Sequence, residues 1–104
     1  MLKVGQSVKQ FEIKAEAKAD LTIIHAFSIE RFGDDIADLY LRGFYEAFDR
    51  LTQFPEIGAV LPELHPQVRI LSHRSHRILY RFDGETVLIM RVLHHAQDVD
   101  HALN

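Results

Sequence analysis

The side chains best suited to chemistry gather in the C-terminal third: Arg69, Arg74, Arg77, Arg81 and Arg91, with His73, His76, His94, His95 and His101. Arginine presents a planar fork of donors that grips carboxylates and phosphates. Arg77 and Arg81 sit four apart in a run with strand character, so alternation places both on one face. Arg91 on the neighbouring strand joins or misses them according to register, which the sequence leaves open. Such a strip would suit an acidic partner; equally, arginine stems cover apolar area on an ordinary solvated face. Imidazoles titrate near neutrality and ligate metals, so the histidines offer either a zinc site or an acid–base pair for a phosphodiester. His73 and His76 flank Arg74-Ser75 and would face each other across a turn. The chain has no cysteine, and H-x-x-H across a turn is a poor zinc pattern. The histidines therefore read as scattered polar groups, with no metal and no cofactor assigned.

Charge narrows the partners. The net charge is −3, but residues 1–66 carry seven Lys/Arg against eleven Asp/Glu, whereas residues 67–93 carry five arginines against Asp83 and Glu85. Nucleic-acid affinity comes largely from phosphate neutralisation by a strong basic field. The whole chain lacks that field and only the C-terminal third could supply a local one, so no direct sequence-specific nucleic-acid binding is expected. Met1 to Gln10 contains no apolar run of signal-peptide length, and no segment approaches a membrane span. With no cysteine to oxidise, the expected compartment is the cytoplasm.

These side chains need elements to position them. A length of 104 residues and 47% apolar content imply a single domain over 1–104 with a real core. Val8–Lys14 alternates and reads as a short strand. Residues 15–32 switch to helical period, with Ala17, Leu21, Ile24, Phe27 and Phe32 in one apolar stripe. Gly33 suits the position after that helix and Asp34 the N-cap of the next, so the helices should form an antiparallel hairpin. The second helix is expected from Asp35 to Phe54, with Ile36, Leu39, Tyr40, Phe44, Ala47, Leu51 and Phe54 on one face. Gly43 within that face would let the first helix approach, and Pro55 stops the helix. Residues 55–66 hold all three prolines and read as a loop over the body. Three β-rich runs follow: Val68–His73, His76–Phe82 and Thr86–Leu93. Asp83-Gly84 predicts a two-residue type I′ turn between the last two. The run V-L-I-M-R-V-L is apolar on both faces and should lie inside the sheet. Residues 96–103 form a last helical turn or a tail. The predicted class is α+β in the order β-α-α-β-β-β: a helical hairpin on a small, mainly antiparallel sheet.

This order and several short signatures resemble the ParE toxins of the ParE/RelE superfamily. The matching residues are Ala17, Asp20-Leu21 and Ile24 on the first helix. On the second they are Ala37, Tyr40, Phe44, Phe48 and Leu51, ending in F-P-x-x-G from Phe54 to Gly58. The sheet adds H-R-I-L-Y-R-F (His76–Phe82) and V-L-I-M-R-V-L-H (Val87–His94), with Asp98 beyond. The likeness spans roughly residues 8–103, and residues 1–7 read as a flexible extension before it.

The resemblance implies a type II toxin that inhibits DNA gyrase without chemistry of its own and is neutralised by a ParD-like antitoxin. The alternative within the superfamily is a RelE-like, metal-independent endoribonuclease. Such an enzyme needs a base, an acid and cations on the phosphate. Pro55–Pro66 has no Lys or Arg, the tail from Ala96 has no Lys, Arg or Tyr, and only Arg77 sits where that branch keeps a sheet arginine; His94 or His95 would have to substitute. No catalytic residue is therefore assigned. Arg69, Arg77, Arg81, Arg91 and His94 are the candidate antitoxin- or target-binding residues. An acidic antitoxin segment is expected over the sheet and the hairpin edge, meeting Arg77 and Arg81. Ile23 and Ile29, at or beyond the edge of the helical stripe, either extend the core or offer a groove for an amphipathic helix.

Overall fold

In the computed structural model, which describes residues 10–103, the chain runs β1 (Gln10–Ile13), α1 (Ala15–Phe32), α2 (Asp34–Gln53), β2 (Ala59–Leu61), β3 (Val68–His73), β4 (His76–Phe82), β5 (Thr86–His94) and α3 (Val99–Leu103). The extension expected over residues 1–7 lies outside the described residues. The strands form one sheet ordered β1-β5-β4-β3-β2, with β1 parallel to β5 and the other neighbours antiparallel. The predicted α+β layer pair is present, and β5 is interior as its two apolar faces required.

Gly33 makes the helical join. Its φ of 86° lies in the left-handed half of the map, open to glycine without steric cost. Its N–H donates to Ile29 O at 2.8 Å, closing α1, and its carbonyl accepts from Ala37 N at 3.1 Å, opening α2. Gly33 thus takes the N-cap place expected of Asp34. Asp34 and Asp35 fall instead in the first turn, where their charge meets the positive end of the helix dipole.

The hairpin packs its inner face on one side of the sheet. Ala17, Leu21, Phe44, Ala47, Phe48 and Leu51 interlock there with Ile78, Tyr80, Val87, Ile89 and Val92. Alanines at the contact let helix and strand backbones approach closely. Val68, Leu79 and Leu93 face the other way, covered by Leu61, Leu64 and the α3 residues Val99, Ala102 and Leu103. The centre of the sheet is therefore dry on both sides. One irregularity matters: Leu79 pairs with Arg91 but Tyr80 with Ile89, so Met90 is an extra residue that bulges β5 and re-aims Arg91.

Two local expectations give way to non-local contacts, and a third to a different local brace. The 55–66 loop contains β2, whose Val60 pairs with Arg69 of β3. Its entrance is clamped by Tyr80: Gly58 N donates to the hydroxyl at 2.9 Å and the hydroxyl donates to Pro55 O at 2.8 Å. A Cβ on Gly58 would lie 2.7 Å from that hydroxyl oxygen and 2.8 Å from Ile70 O, so this position has room for glycine alone. Gly43 admits a histidine rather than the first helix, since a Cβ there would meet His73 Nε2 at 3.3 Å. The β4–β5 connection is Asp83-Gly84-Glu85, not a type I′ pair. Gly84 has φ 102°, Asp83 is not at positive φ, and Asp83 Oδ1 braces the turn by accepting from Glu85 N at 2.9 Å and Thr86 N at 2.8 Å.

Candidate functional site

The arginines do not assemble into one strip. Arg77, Leu79 and Arg81 share the sheet face turned away from the hairpin, because Ile78 and Tyr80 point into the hairpin core. Arg69 is paired with Tyr80 and so lies on the opposite face. Its Nη1 donates to Glu56 O at 3.0 Å and Gly58 O at 2.8 Å, tying down the loop before β2. Arg91 turns over the edge of β5 that β1 leaves open beyond Ile89. There Asp20 accepts from Arg91 Nε at 2.8 Å, from Arg91 Nη2 at 2.9 Å and from Val92 N at 2.8 Å. The carboxylate pushes the Arg91 guanidinium pKa further up. Arg91 Nη1 also holds Ala102 O at 3.1 Å, fastening α3. Arg77 Nη2 donates to His95 O at 3.0 Å and Gln97 O at 2.7 Å, fixing the turn after β5. Of Arg69, Arg77, Arg81 and Arg91, Arg81 is the one whose guanidinium makes no hydrogen bond or ion pair with a described residue; it lies in a shallow depression that Glu12, Gln67, Asp83 and Leu88 also line.

His94 belongs to a different place. It lines an open groove of 540 Å³ between the distal half of the hairpin and the end of the sheet. The hairpin contributes Ile23, Ile24, Phe27, Ser28, Phe32, Ile36 and Tyr40; the sheet end contributes Ser75, His76, His94 and Gln97. Phe27 (55% exposed), Phe32 (58%) and Ile36 (52%) were expected in the core. The stripe containing Phe27 and Phe32 continues past the last strand, so their rings have no sheet beneath them. Leu39 (61%) and Phe54 (58%), also expected inward, are exposed too. Ile23, at 69% exposure, takes the groove option and not the core-extending one.

The groove floor is an aromatic cluster. His73 and His76 are paired across the Arg74-Ser75 turn, as the spacing suggested, and both rings pack on buried Phe44, at 4.9 and 5.5 Å between centroids. Tyr40 Oη donates to His76 Nδ1 at 3.2 Å, taking the tautomer with hydrogen on Nε2. The His94 ring lies 5.5 Å from that of His76 and 4.4 Å from that of His95. Burial, then the neighbouring His94, His73 and His95, hold His76 below the ordinary imidazole pKa, with Asp20 opposing. His73 is lowered by burial and by Arg74 and Arg50, against Glu46. Burial raises the Tyr40 phenol, which therefore stays a donor. Among the described residues no group of three or more His, Asp or Glu side chains is placed to hold a metal ion, and no helix is long and apolar enough to cross a membrane. What this arrangement can do is bind: it offers apolar walls over a polar floor, with no Lys, Arg, Asp or Glu in its lining.

The groove escaped sequence reasoning because exposed and buried members of an amphipathic stripe look alike in periodicity. One signal was present: α1 carries Ile23, Phe27 and Ile29 in addition to its buried Ala17 and Leu21, more apolar surface than one face can bury.

Comparison with known proteins agrees with this architecture. Residues 11–99 match the family model described as the ParE toxin of the type II toxin-antitoxin system, parDE. Toxin ParE1 of Mycobacterium tuberculosis is 39% identical over 95 residues, covering 90% of this chain and 97% of the relative. Toxin ParE1 of Caulobacter vibrioides is 31% identical over 91 residues, covering 88% and 94%. A solved structure described as the chromosomal ParDE TA system from P. aeruginosa superposes with a TM-score of 0.71 at 24% identity, covering 84% of this chain and 96% of its own; at that identity it speaks to the fold. With a family model matched over residues 11–99 and a relative 39% identical over 90% of this chain, the chain belongs to the ParE toxin family of type II toxin–antitoxin systems.

Proposed function

We propose that the chain acts in the cytoplasm as an inhibitor of DNA gyrase, and that a ParD-like antitoxin neutralises it by laying an amphipathic segment into the groove beneath the hairpin. Membership of a family defined by a toxin paired with an antitoxin carries this reading. The groove supports it. Phe27, Phe32, Ile36 and Ile23 stand in water around an uncharged hollow, the surface an apolar helix face requires. Covering each such side chain contributes about 1.5–3 kcal/mol, so three or four offset the ordering of a disordered segment. The lining holds no cation, so the acidic contacts expected at Arg77 give way to apolar ones. An acidic tail leaving the groove would still find Arg81 as its open guanidinium.

The reading is of an interaction protein rather than an enzyme. A metal-free ribonuclease needs a guanidinium free for the scissile phosphate, whereas Arg77 already holds two backbone carbonyls. Purified toxin should inhibit supercoiling by gyrase or trap cleaved DNA, and the co-encoded antitoxin should relieve it. Phe27→Asp should weaken antitoxin binding by about 30-fold or more, corresponding to at least ~2 kcal/mol. Supercoiling unaffected at saturating toxin, together with mRNA cleavage lost in His94→Ala and His95→Ala variants, would favour the endoribonuclease instead.

A further inference from the structure

The groove contains no permanent charge, yet it is not electrically inert. Its lining includes Tyr40 and His76, and burial keeps the phenol protonated. A proton taken up at His76 would therefore put a positive charge in the groove. Every element packed around His76 bears on that proton. From α2 comes Tyr40, whose hydroxyl occupies Nδ1. From β3 comes His73, on the far side of the Phe44 ring. The turn adds Arg74, whose guanidinium carbon lies 5.8 Å from the Tyr40 ring centroid. From β5 and its end come His94 and His95. From α1 comes Asp20, a carboxylate already saturated by Arg91 and Val92 N. The surroundings thus offer cations or potential cations and one committed anion.

We propose that occupancy of the groove is proton-linked: the antitoxin segment packs against neutral His76 and is expelled when that imidazole becomes charged. This rests on the groove being the antitoxin site. An apolar face laid over the His76 ring removes the water that would solvate an imidazolium, and an unpaired charge is poorly tolerated there. Binding therefore opposes protonation, and by linkage protonation opposes binding. The sign follows from that desolvation, and the pH window from His76, whose free-state pKa already lies below the ordinary value of 6.5. Affinity should be flat above about pH 6.5 and should fall below it, by up to tenfold per pH unit for each proton excluded. Acidification would then release toxin from its complex without proteolysis of the antitoxin.

The test is isothermal titration of the full chain with its co-encoded antitoxin from about pH 7.5 to about pH 5. Circular dichroism at each pH confirms that both proteins keep their fold. The wild-type chain should bind about tenfold more weakly at the acid end, and His76→Gln should flatten that dependence whatever it does to affinity at neutral pH. His94 is exposed and is one of the neighbours that hold the His76 proton off, so His94→Gln, which should move the onset of weakening to higher pH, serves if His76→Gln does not fold. A wild-type pH profile that persists unchanged in these variants overturns the proposal, because the proton then belongs to other groups. A flat wild-type profile with Phe27→Asp still weakening the complex overturns the proton link and leaves the groove assignment standing. Unchanged binding by Phe27→Asp at every pH removes the groove assignment and this inference with it.

Discussion

Removing the Asp20 carboxylate should be among the most damaging single changes that spare the core. Asp20 accepts two hydrogen bonds from Arg91 and one from Val92 N. Its side chain is 13% exposed and that of Arg91 23%, so neither is well solvated. In Asp20→Ala the Val92 N–H, on a residue 2% exposed, loses its acceptor, at about 1–3 kcal/mol. Arg91 loses a bidentate carboxylate, worth about 1.5–3 kcal/mol for charge-assisted bonds, and keeps only Ala102 O. Water reaching the partly exposed pair replaces some of this, so the expected total is about 3 kcal/mol. At about 4–8 °C per kcal/mol for a domain near this size, the melting temperature should fall by about 12–24 °C. A double-mutant cycle isolates the pair: Asp20→Ala, Arg91→Met and the double variant, each followed by urea unfolding. A coupling energy of about 1.5–2.5 kcal/mol is expected. Coupling within ~0.5 kcal/mol of zero, or an Asp20→Ala cost under ~1 kcal/mol, would refute the view that this pair fastens α1 to the open edge of β5.

Tyr80→Phe removes the hydroxyl that serves both Gly58 N and Pro55 O. Two polar groups then lose a partner, so urea unfolding should show a loss of about 2–4 kcal/mol; a loss below ~1 kcal/mol would mean water substitutes freely at the clamp. Stability should also rise with pH through the acid side of neutrality. His73 and His76 both titrate below the ordinary value in the folded chain, so below about pH 6.5 the unfolded chain binds protons that the native one refuses. The stabilisation is complete above the unfolded pKa and lost as pH falls towards the folded ones, by at most about 1.4 kcal/mol per pH unit for each ring. His73→Gln and His76→Gln should each shallow this slope in unfolding midpoints measured across pH; slopes identical to wild type would place the proton uptake elsewhere.

The elements were legible where local pattern alone decides them. The helices at Ala15–Phe32 and Asp34–Gln53 and the long strands follow from period, glycine and proline. β2 was not, because three residues among prolines become a strand only through pairing with Val68–Ile70, a contact that no local window contains. The arginines were legible as candidates but not in their fates. Arg69 and Arg77 close on backbone carbonyls, and every residue carries a carbonyl, so no residue type advertises the partner. Arg91 is the exception in kind: its partner Asp20 is a conspicuous carboxylate on α1, yet 71 residues away in sequence.

The most instructive misreading is the stripe on α1. An amphipathic pattern specifies an apolar face but not the length of whatever lies against it. Here the sheet ends near His76 and His94, and the helices run on towards Gly33, so one stripe is core at Ala17 and Leu21 and open surface at Phe27 and Phe32. A monomer optimised for stability alone would be expected to carry polar residues on that overhang, since exposed aromatic patches promote association. Their presence is therefore a statement about a partner, and the proton on His76 at the end of the sheet is the proposed condition under which that partner stays.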